Sequence, residues 1–451
     1  MNLMNNISNF NISKIKGYNR IILLNTMGMV LCKIFSVCIT FVLFPLYIDF
    51  FGNNEILGVW FTLLSVLNWV LLFDLGLGNG LRNKLPEALA SNDVVLAKKY
   101  ISTTYISSSI FALLVFVLIC FISNKVNWNE LLNVGLATIN NEVLRSCVMI
   151  TLSGICIQFV IKLITSILYA LQKSACVNFI GVISNVIILL SLLLIHRGSL
   201  EENLILMSYI NVMAINLPML LFSIYVFKTS LNQMQPNMKM FEVGLCKDLL
   251  GIGLTLLWLQ IIFLVVANSN EFLITYLTTP DNVVPYQAYM KIYNTGAVIF
   301  SFALTPLWSA VTKAKSEKNY SWIIKAYKFF GMMSALCFMI ELIVSLFGQC
   351  IFELWLGKSV MNFNIVYGIV FSVHSYIFII HNINTSISNG LSYFRFQIIG
   401  MSLAALLHIP IAILFVDICD SWIGVIIASC VAMSFYELFA PYFTVKYIRE
   451  L

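Results

Sequence analysis

Apolar residues in this chain gather into twelve runs of about twenty, separated by short polar stretches. The runs are 21–48, 56–75, 101–123, 147–169, 177–195, 204–227, 249–277, 284–307, 322–347, 365–387, 396–416 and 422–445. Each is long enough to cross the hydrocarbon layer of a bilayer as a helix, which needs ~20 residues. Helix is the expected conformation because backbone groups in lipid must find their partners inside the segment. The short alternating strands of a membrane barrel are not visible in the pattern.

The polar positions between the runs alternate in charge. Of the 26 Lys and Arg residues, 19 fall on one side of the predicted membrane, counting Lys325 and Lys328 in the first two turns of run nine; 4 fall on the other, and 3 lie deeper inside runs. A missed or invented span would scramble that alternation. By the positive-inside rule the lysine-rich side is cytoplasmic and carries both termini. The basic residues before Ile21 lead straight into a full-length run, without the cleavage pattern of a secretory signal. Composition agrees: 60% of residues are hydrophobic and 10% charged, against about 25% charged in a soluble domain. The net charge of +6 is thereby explained by orientation and implies no nucleic-acid partner.

The longest polar stretch between central runs, 228–248, separates six runs from six. An even number gives both halves the same orientation, a parallel repeat of the kind common among transporters. The loop from Leu81, LRNKLPEALASNDVVLAKKYI, can be laid over LWSAVTKAKSEKNYSWIIKAY from Leu307, pairing Ala88 with Ala314 and Lys99 with Lys325. The expected architecture is an all-α membrane protein of 12 transmembrane helices in two six-helix lobes, 1–230 and 231–451, around a central cavity.

No enzyme site is apparent. The GLGNG run at 76–80 lacks the spacing that wraps nucleotide phosphates, and its glycines fit a turn at the membrane surface. The 11 cysteines form no CxxC pair, and no cofactor or metal site is expected.

The residues carrying chemistry are the ionisable ones inside runs. A lysine at mid-membrane costs roughly 2.5–3.5 kcal/mol on insertion scales, and such residues usually face water and mark a substrate path. Lys33, Lys162 and Lys291 lie in runs one, four and eight. Snorkelling to the interface is the competing account, strongest for Lys162 and Lys291, which lie nearer the run ends. Glu271, Glu341 and Glu437 are the embedded carboxylates, with Asp74 at the edge of run two. His374 and His381, seven apart in run ten, share a helix face and are candidates for proton relay. A histidine satisfied by a neighbouring helix is the plainer reading of each.

The segment FFGNNEILGVWFTLLSVLNWVLLFDLGLGNGLRNKL, from Phe50 to Leu85, resembles the polysaccharide-type flippases of the MATE-like exporter superfamily, particularly O-antigen and capsule repeat-unit translocases. The shared features are Gly-x-Trp near the outer end of span two and the DLGLGN-type turn. Asp74, Gly76, Gly78 and Asn79 form that turn, followed by Arg82 and Lys84. SNEFLITYLTTPDNVVPYQAYMKIY, from Ser269, is similar to the family's stretch from span seven to span eight, with Glu271, Tyr286 and Lys291 in the matching positions. The chain departs from the family before span nine, where Lys318 and Asn319 replace a frequent glycine-aspartate.

The resemblance implies two lobes that expose a cavity to each side in turn. It implies an undecaprenyl-pyrophosphate-linked oligosaccharide moved from inner to outer leaflet of the bacterial inner membrane, for O-antigen, lipopolysaccharide or capsule assembly. Lys33, Lys162, Lys291 and Tyr286 would line the cavity; Glu271, Glu341, Glu437, His374 and His381 would couple an H+ or Na+ counter-ion. Residues 74–84 would form a cytoplasmic gate, and a polysaccharide polymerase and chain-length protein would be partners. The alternative within the superfamily is an ion-coupled multidrug or cation exporter, which would favour an acid-lined cavity. A glycan polymerase is a third reading, disfavoured by the short longest outer loop, 124–146.

Overall fold

The computed structural model describes residues 2–72, 76–91, 93–171, 173–195, 198–358, 360–391 and 393–450. Regular structure among them is helical throughout. In the first half the helices are α1 (Asn2–Phe51), α2 (Asn54–Leu72), α3 (Leu77–Ala90), α4 (Val94–Ser123), α5 (Trp128–Leu131), α6 (Asn141–Ile161), α7 (Leu163–Ala170), α8 (Ser174–Leu194) and α9 (Leu200–Lys228). In the second half they are α10 (Val243–Ala267), α11 (Asn270–Leu277), α12 (Val283–Ser316), α13 (Tyr320–Leu346), α14 (Gly348–Leu356), α15 (Ile365–Leu391), α16 (Arg395–Cys419) and α17 (Ile423–Glu450).

Each of the twelve predicted runs falls on one of these helices or on a consecutive pair. Among the described residues, nine stretches are long and apolar enough to cross a membrane. The other three predicted spans correspond to α2, α10 with α11, and α12. Large apolar side chains on the span helices face outward: Leu194 on α8 is 75% exposed, Leu406 on α16 74% and Leu438 on α17 74%. A water-soluble chain would not tolerate that surface, and lipid is the solvent that does. The protein is a multi-pass, all-α membrane protein.

Local chemistry sets the helix ends. Asp93 accepts a hydrogen bond from Leu96 N, and Asn319 accepts one from Trp322 N. Ser199 and Glu202 form a reciprocal capping box at the start of α9. The turn between α2 and α3 needs a glycine: Gly76 has φ +70°.

Contacts between Cα atoms divide the chain into two compact units. The first contains Met1–Leu46, Phe73–Val126 and Arg145–Leu257; the second contains Tyr47–Leu72, Asn127–Leu144 and Trp258–Leu451. The grouping therefore does not follow the 1–230 and 231–451 halves of the sequence.

In the first unit, the connector between the sequence halves is tied to α4. Ser102 and Thr103 accept from Asn237 N and Glu242 N, and Lys99 pairs with Glu242 at 2.8 Å. Gly80 lies so close to the start of α10 that a Cβ there would sit 2.4 Å from Leu249 O.

In the second unit, α2 packs on the segment from α11 to α12. A Cβ on Gly58 would lie 1.7 Å from Pro280 O. The 127–144 segment joins the same unit: Glu55 accepts from Thr138 Oγ1 at 3.0 Å, and Asn133 Nδ2 donates to Thr278 O.

Candidate functional site

The second unit contains a series of buried polar nodes, built where hydropathy alone showed only uniform apolar helix. The first arises at a break in span seven. Helix α10 ends at Ala267 and α11 begins at Asn270, leaving the Asn268 carbonyl outside the helical ladder. Trp69 Nε1 donates to it at 2.6 Å and Ser65 Oγ at 3.0 Å. Such a freed carbonyl in lipid requires partners of this kind. Glu271, in the first turn of α11, accepts from Gln287 Nε2 at 2.9 Å and from the same Ser65 hydroxyl at 3.1 Å. Thr62 and Thr275 hydroxyls meet at 2.5 Å one turn away.

The second node is a buried acid–imidazole pair. Glu437 on α17 contacts His381 Nδ1 on α15 at 2.7 Å, and its other oxygen accepts from Asn384 Nδ2 at 2.5 Å. Tyr327 of α13 donates its hydroxyl proton to Asn384 Oδ1. Phe263 stacks on the His381 ring, with centroids 5.6 Å apart. His381 and Glu437 are about 95% enclosed. Two residues predicted separately are therefore one unit, joined by an asparagine and a tyrosine to three helices.

The third node surrounds Glu341 on α13. Its Oε1 accepts from Ser375 Oγ at 2.7 Å, and the Cys337 thiol lies at 3.9 Å. His374 is buried on the same helix as His381 but apart from the Glu437 pair, and its Nε2 has no hydrogen-bond partner. His408 on α16, which sequence reasoning passed over, is fully buried with neither ring nitrogen partnered. Neither histidine has a hydrogen-bonded relay partner among the described residues.

The lysines occupy varied settings. Lys33 is half-buried on α1 and Lys291 half-buried on α12. Lys162 stands at an interruption between α6 and α7, a break in span four that no proline or glycine announces. Tyr286 is 1% exposed and packed against Phe371 and Trp422, within an aromatic cluster that includes Tyr289 and Tyr293. A cleft of about 480 Å³ in the second unit is lined by Asn53, Glu55, Asn133, Thr279 and Asp281 among others, and by none of the three lysines.

Of the predicted gate motif, Asp74 lies outside the described residues. Gly76 and Gly78 are buried, and Asn79 is half-buried. Arg82 places its guanidinium carbon 4.3 Å from the centroid of the Tyr169 ring, a cation–π contact. Lys84 pairs with Glu87 at 3.0 Å, and that carboxylate holds its ammonium above the usual lysine range. Among the described residues, no group of three or more His, Cys, Asp or Glu is placed to hold a metal ion.

No protein-family model matches the chain, and no curated protein matches it. Solved structures do. An inward-facing multidrug resistance MATE family transporter of the MOP superfamily aligns with a TM-score of 0.74 at 15% identity, covering 95% of this chain and 98% of that one. An outward-facing conformation of such a transporter aligns at 0.62 and 15% identity, covering 96% of each chain. A MOP superfamily transporter from Pyrococcus furiosus, described as having a binding pocket of reversed polarity, aligns at 0.64 and 17% identity over 96% of each chain. The fold is thus that of helical membrane transporters. More particularly, it is the fold of the MATE transporters of the MOP superfamily.

Proposed function

We propose that this chain is an alternating-access transporter that carries an anionic, lipid-linked oligosaccharide from the inner to the outer leaflet of a bacterial cytoplasmic membrane. The observation that carries this reading is the division of intramembrane charge. Lys33, Lys162 and Lys291 supply positive charge in spans one, four and eight. The three embedded carboxylates all belong to the second half, and two of them, Glu271 and Glu437, have both oxygens bonded to neighbouring side chains. A pyrophosphate guest is drawn to amines in a low-dielectric setting, whereas a cationic drug needs free acids. The fold supports transport, and the DLGLGN-type segment supports the polysaccharide branch. The reversed pocket polarity described for the Pyrococcus furiosus transporter, and the different function it is said to suggest, supply a precedent within this fold for a change of pocket charge. In this reading both termini are cytoplasmic, the acids couple an ion gradient, and a polymerase receives the flipped unit.

The test is genetic and direct. Lys33→Ala, Lys162→Ala and Lys291→Ala are expected to lower surface polysaccharide while protein levels in the membrane stay normal. Full surface polysaccharide in all three variants refutes the assignment of these lysines to the substrate. A deletion strain with normal surface glycan and new sensitivity to cationic dyes would establish the cation exporter instead.

A further inference from the structure

The cleft of about 480 Å³ in the second unit has no part in the transport scheme above. Three stretches of chain form it. Asn53, Asn54 and Glu55 come from the turn that opens α2. Asn133 comes from the 127–144 segment, and Thr279 to Asp281 come from the turn before α12. All three stretches lie in the lysine-poor loops. The walls are braced. Glu55 accepts from Thr138 Oγ1 at 3.0 Å and from Gly135 N at 3.4 Å. Asn133 Nδ2 donates to the Thr275 and Thr278 carbonyls, and α2 presses Gly58 against the Pro280 carbonyl. Walls tied in this way hold their spacing without a guest, which lowers the cost of binding one.

The braces use only part of the lining's hydrogen-bonding capacity. Asn53 Oδ1 accepts from Ile56 N at 3.1 Å, which leaves the Asn53 Nδ2 protons. The bonds of Asn133 use its Nδ2 and leave Oδ1. Thr279 Oγ1 accepts from Asn282 Nδ2 at 2.9 Å and keeps its own proton. The Asn54 amide and the Asp281 carboxylate make no side-chain bond among the described residues, and both residues are exposed. The cleft therefore offers donors on Asn53, Asn54 and Thr279 beside acceptors on Asn54, Asn133 and Asp281.

We propose that this cleft is a carbohydrate site: a neutral, hydroxyl-rich sugar unit held at the lysine-poor face, away from the three intramembrane lysines. The mixture of free groups selects the guest. Each sugar hydroxyl both donates and accepts, so neighbouring hydroxyls engage the amides, the threonine and the carboxylate together. A metal cation would use the acceptors alone and leave amide protons facing it. A phosphate would meet two carboxylates, with no Lys, Arg or His in the lining to hold it. An apolar drug calls for aromatic and aliphatic walls, and Pro280 is the one apolar side chain in this lining. The volume falls within the range of small-molecule sites, roughly 300–1,000 Å³. The ligand class follows from the lining alone. The cleft's use as a landing station for the sugar portion of the flipped lipid rests on the transport reading.

Saturation-transfer NMR on the full chain gives the test, in a detergent whose head group is not itself a sugar. The probes are free glucose, galactose, mannose, rhamnose, N-acetylglucosamine and N-acetylgalactosamine, each titrated with and without calcium chloride. At least one sugar is expected to show saturable transfer that calcium does not enhance. Asn54→Ala and Asp281→Ala, both at exposed positions, are each expected to weaken it about threefold, and the double variant at least about tenfold. Glu130→Gln, in the same loop as Asn133 but outside the lining, is expected to keep the wild-type response. Absence of saturable transfer from all six sugars in wild type overturns the site, as does an unchanged response in the double variant. Calcium binding that Asp281→Ala abolishes, with no sugar response, overturns it in favour of a cation. Sugar binding in a protein whose deletion leaves surface polysaccharide normal refutes the transport reading and leaves the cleft standing. Lysine-dependent polysaccharide export without any sugar response does the reverse.

Discussion

A polar side chain buried in a membrane helix is costly unless its partners are in place, so each such residue can be interrogated alone. Tyr327 offers the cleanest case. Its hydroxyl donates to Asn384, whose amide donates to Glu437, which in turn holds His381. Tyr327→Phe removes one proton and leaves Asn384 Oδ1 without its tyrosine partner. The expected cost is about 1–3 kcal/mol of unfolding free energy, the range for a buried group losing its bond. Chemical denaturation in detergent reads it. A neutral outcome would mean that Asn384 and Glu437 hold together without the tyrosine. Gly58→Ala belongs to the same scale but acts by overlap, since a Cβ there would collide with the Pro280 carbonyl. Backbone on one side of the clash leaves little room to yield, so a large fall in thermal stability is expected. His381 and Glu437 were legible in the sequence as ionisable residues inside spans. Their pairing was not, because 56 positions separate them and nothing in either run's periodicity fixes which faces meet.

At the scale of elements, the spans were written plainly in the chain. Twenty consecutive apolar residues have one stable solution in lipid, and over its described residues every predicted run is helical apart from short breaks. The interruptions were hidden. Neither Lys162 nor the Asn268–Ser269 step contains a proline or glycine, and hydropathy averaged over a window does not register where one hydrogen-bond ladder stops and the next begins. The short helices α3, α5 and α14 were also missed, being too brief or too polar for a span-length pattern. Caps were readable in principle: Ser199 followed three residues later by Glu202 is a capping box in sequence and in structure. Ser199→Ala should fray the first turn of α9, which hydrogen exchange over Leu200–Asn203 would show as lost amide protection. Glu202→Gln should retain more of it, since the amide side chain still reaches the Ser199 backbone N–H. Equal protection in all three proteins would assign the stability of that turn to packing of Asn203 and Leu204, both buried, rather than to the cap.

For the molecule as a whole, the strongest prediction concerns which way it faces. The orientation rests on a 19-to-4 division of Lys and Arg between the two sides, a bias set by membrane insertion and independent of any substrate. The structure supplies a reporter at each end. Cys350 is exposed on α14, which follows the lysine-poor end of span nine, and Lys239 is exposed in the lysine-rich connector between the sequence halves. A variant retaining Cys350 as its sole cysteine should react in intact cells with a membrane-impermeant maleimide. A cysteine-free protein carrying Lys239→Cys should react only after permeabilisation. The opposite result for both would invert the topology and, with it, the direction of transport proposed above, because an anionic lipid-linked guest synthesised inside would then meet the wrong face. Labelling of both positions from the same side would be more damaging. Span nine ends beside Cys350, three spans after the connector, so the two sites must lie on opposite sides if the count is correct. An even number of crossings between them would break the parallel repeat, because the second half would then no longer match the first span for span.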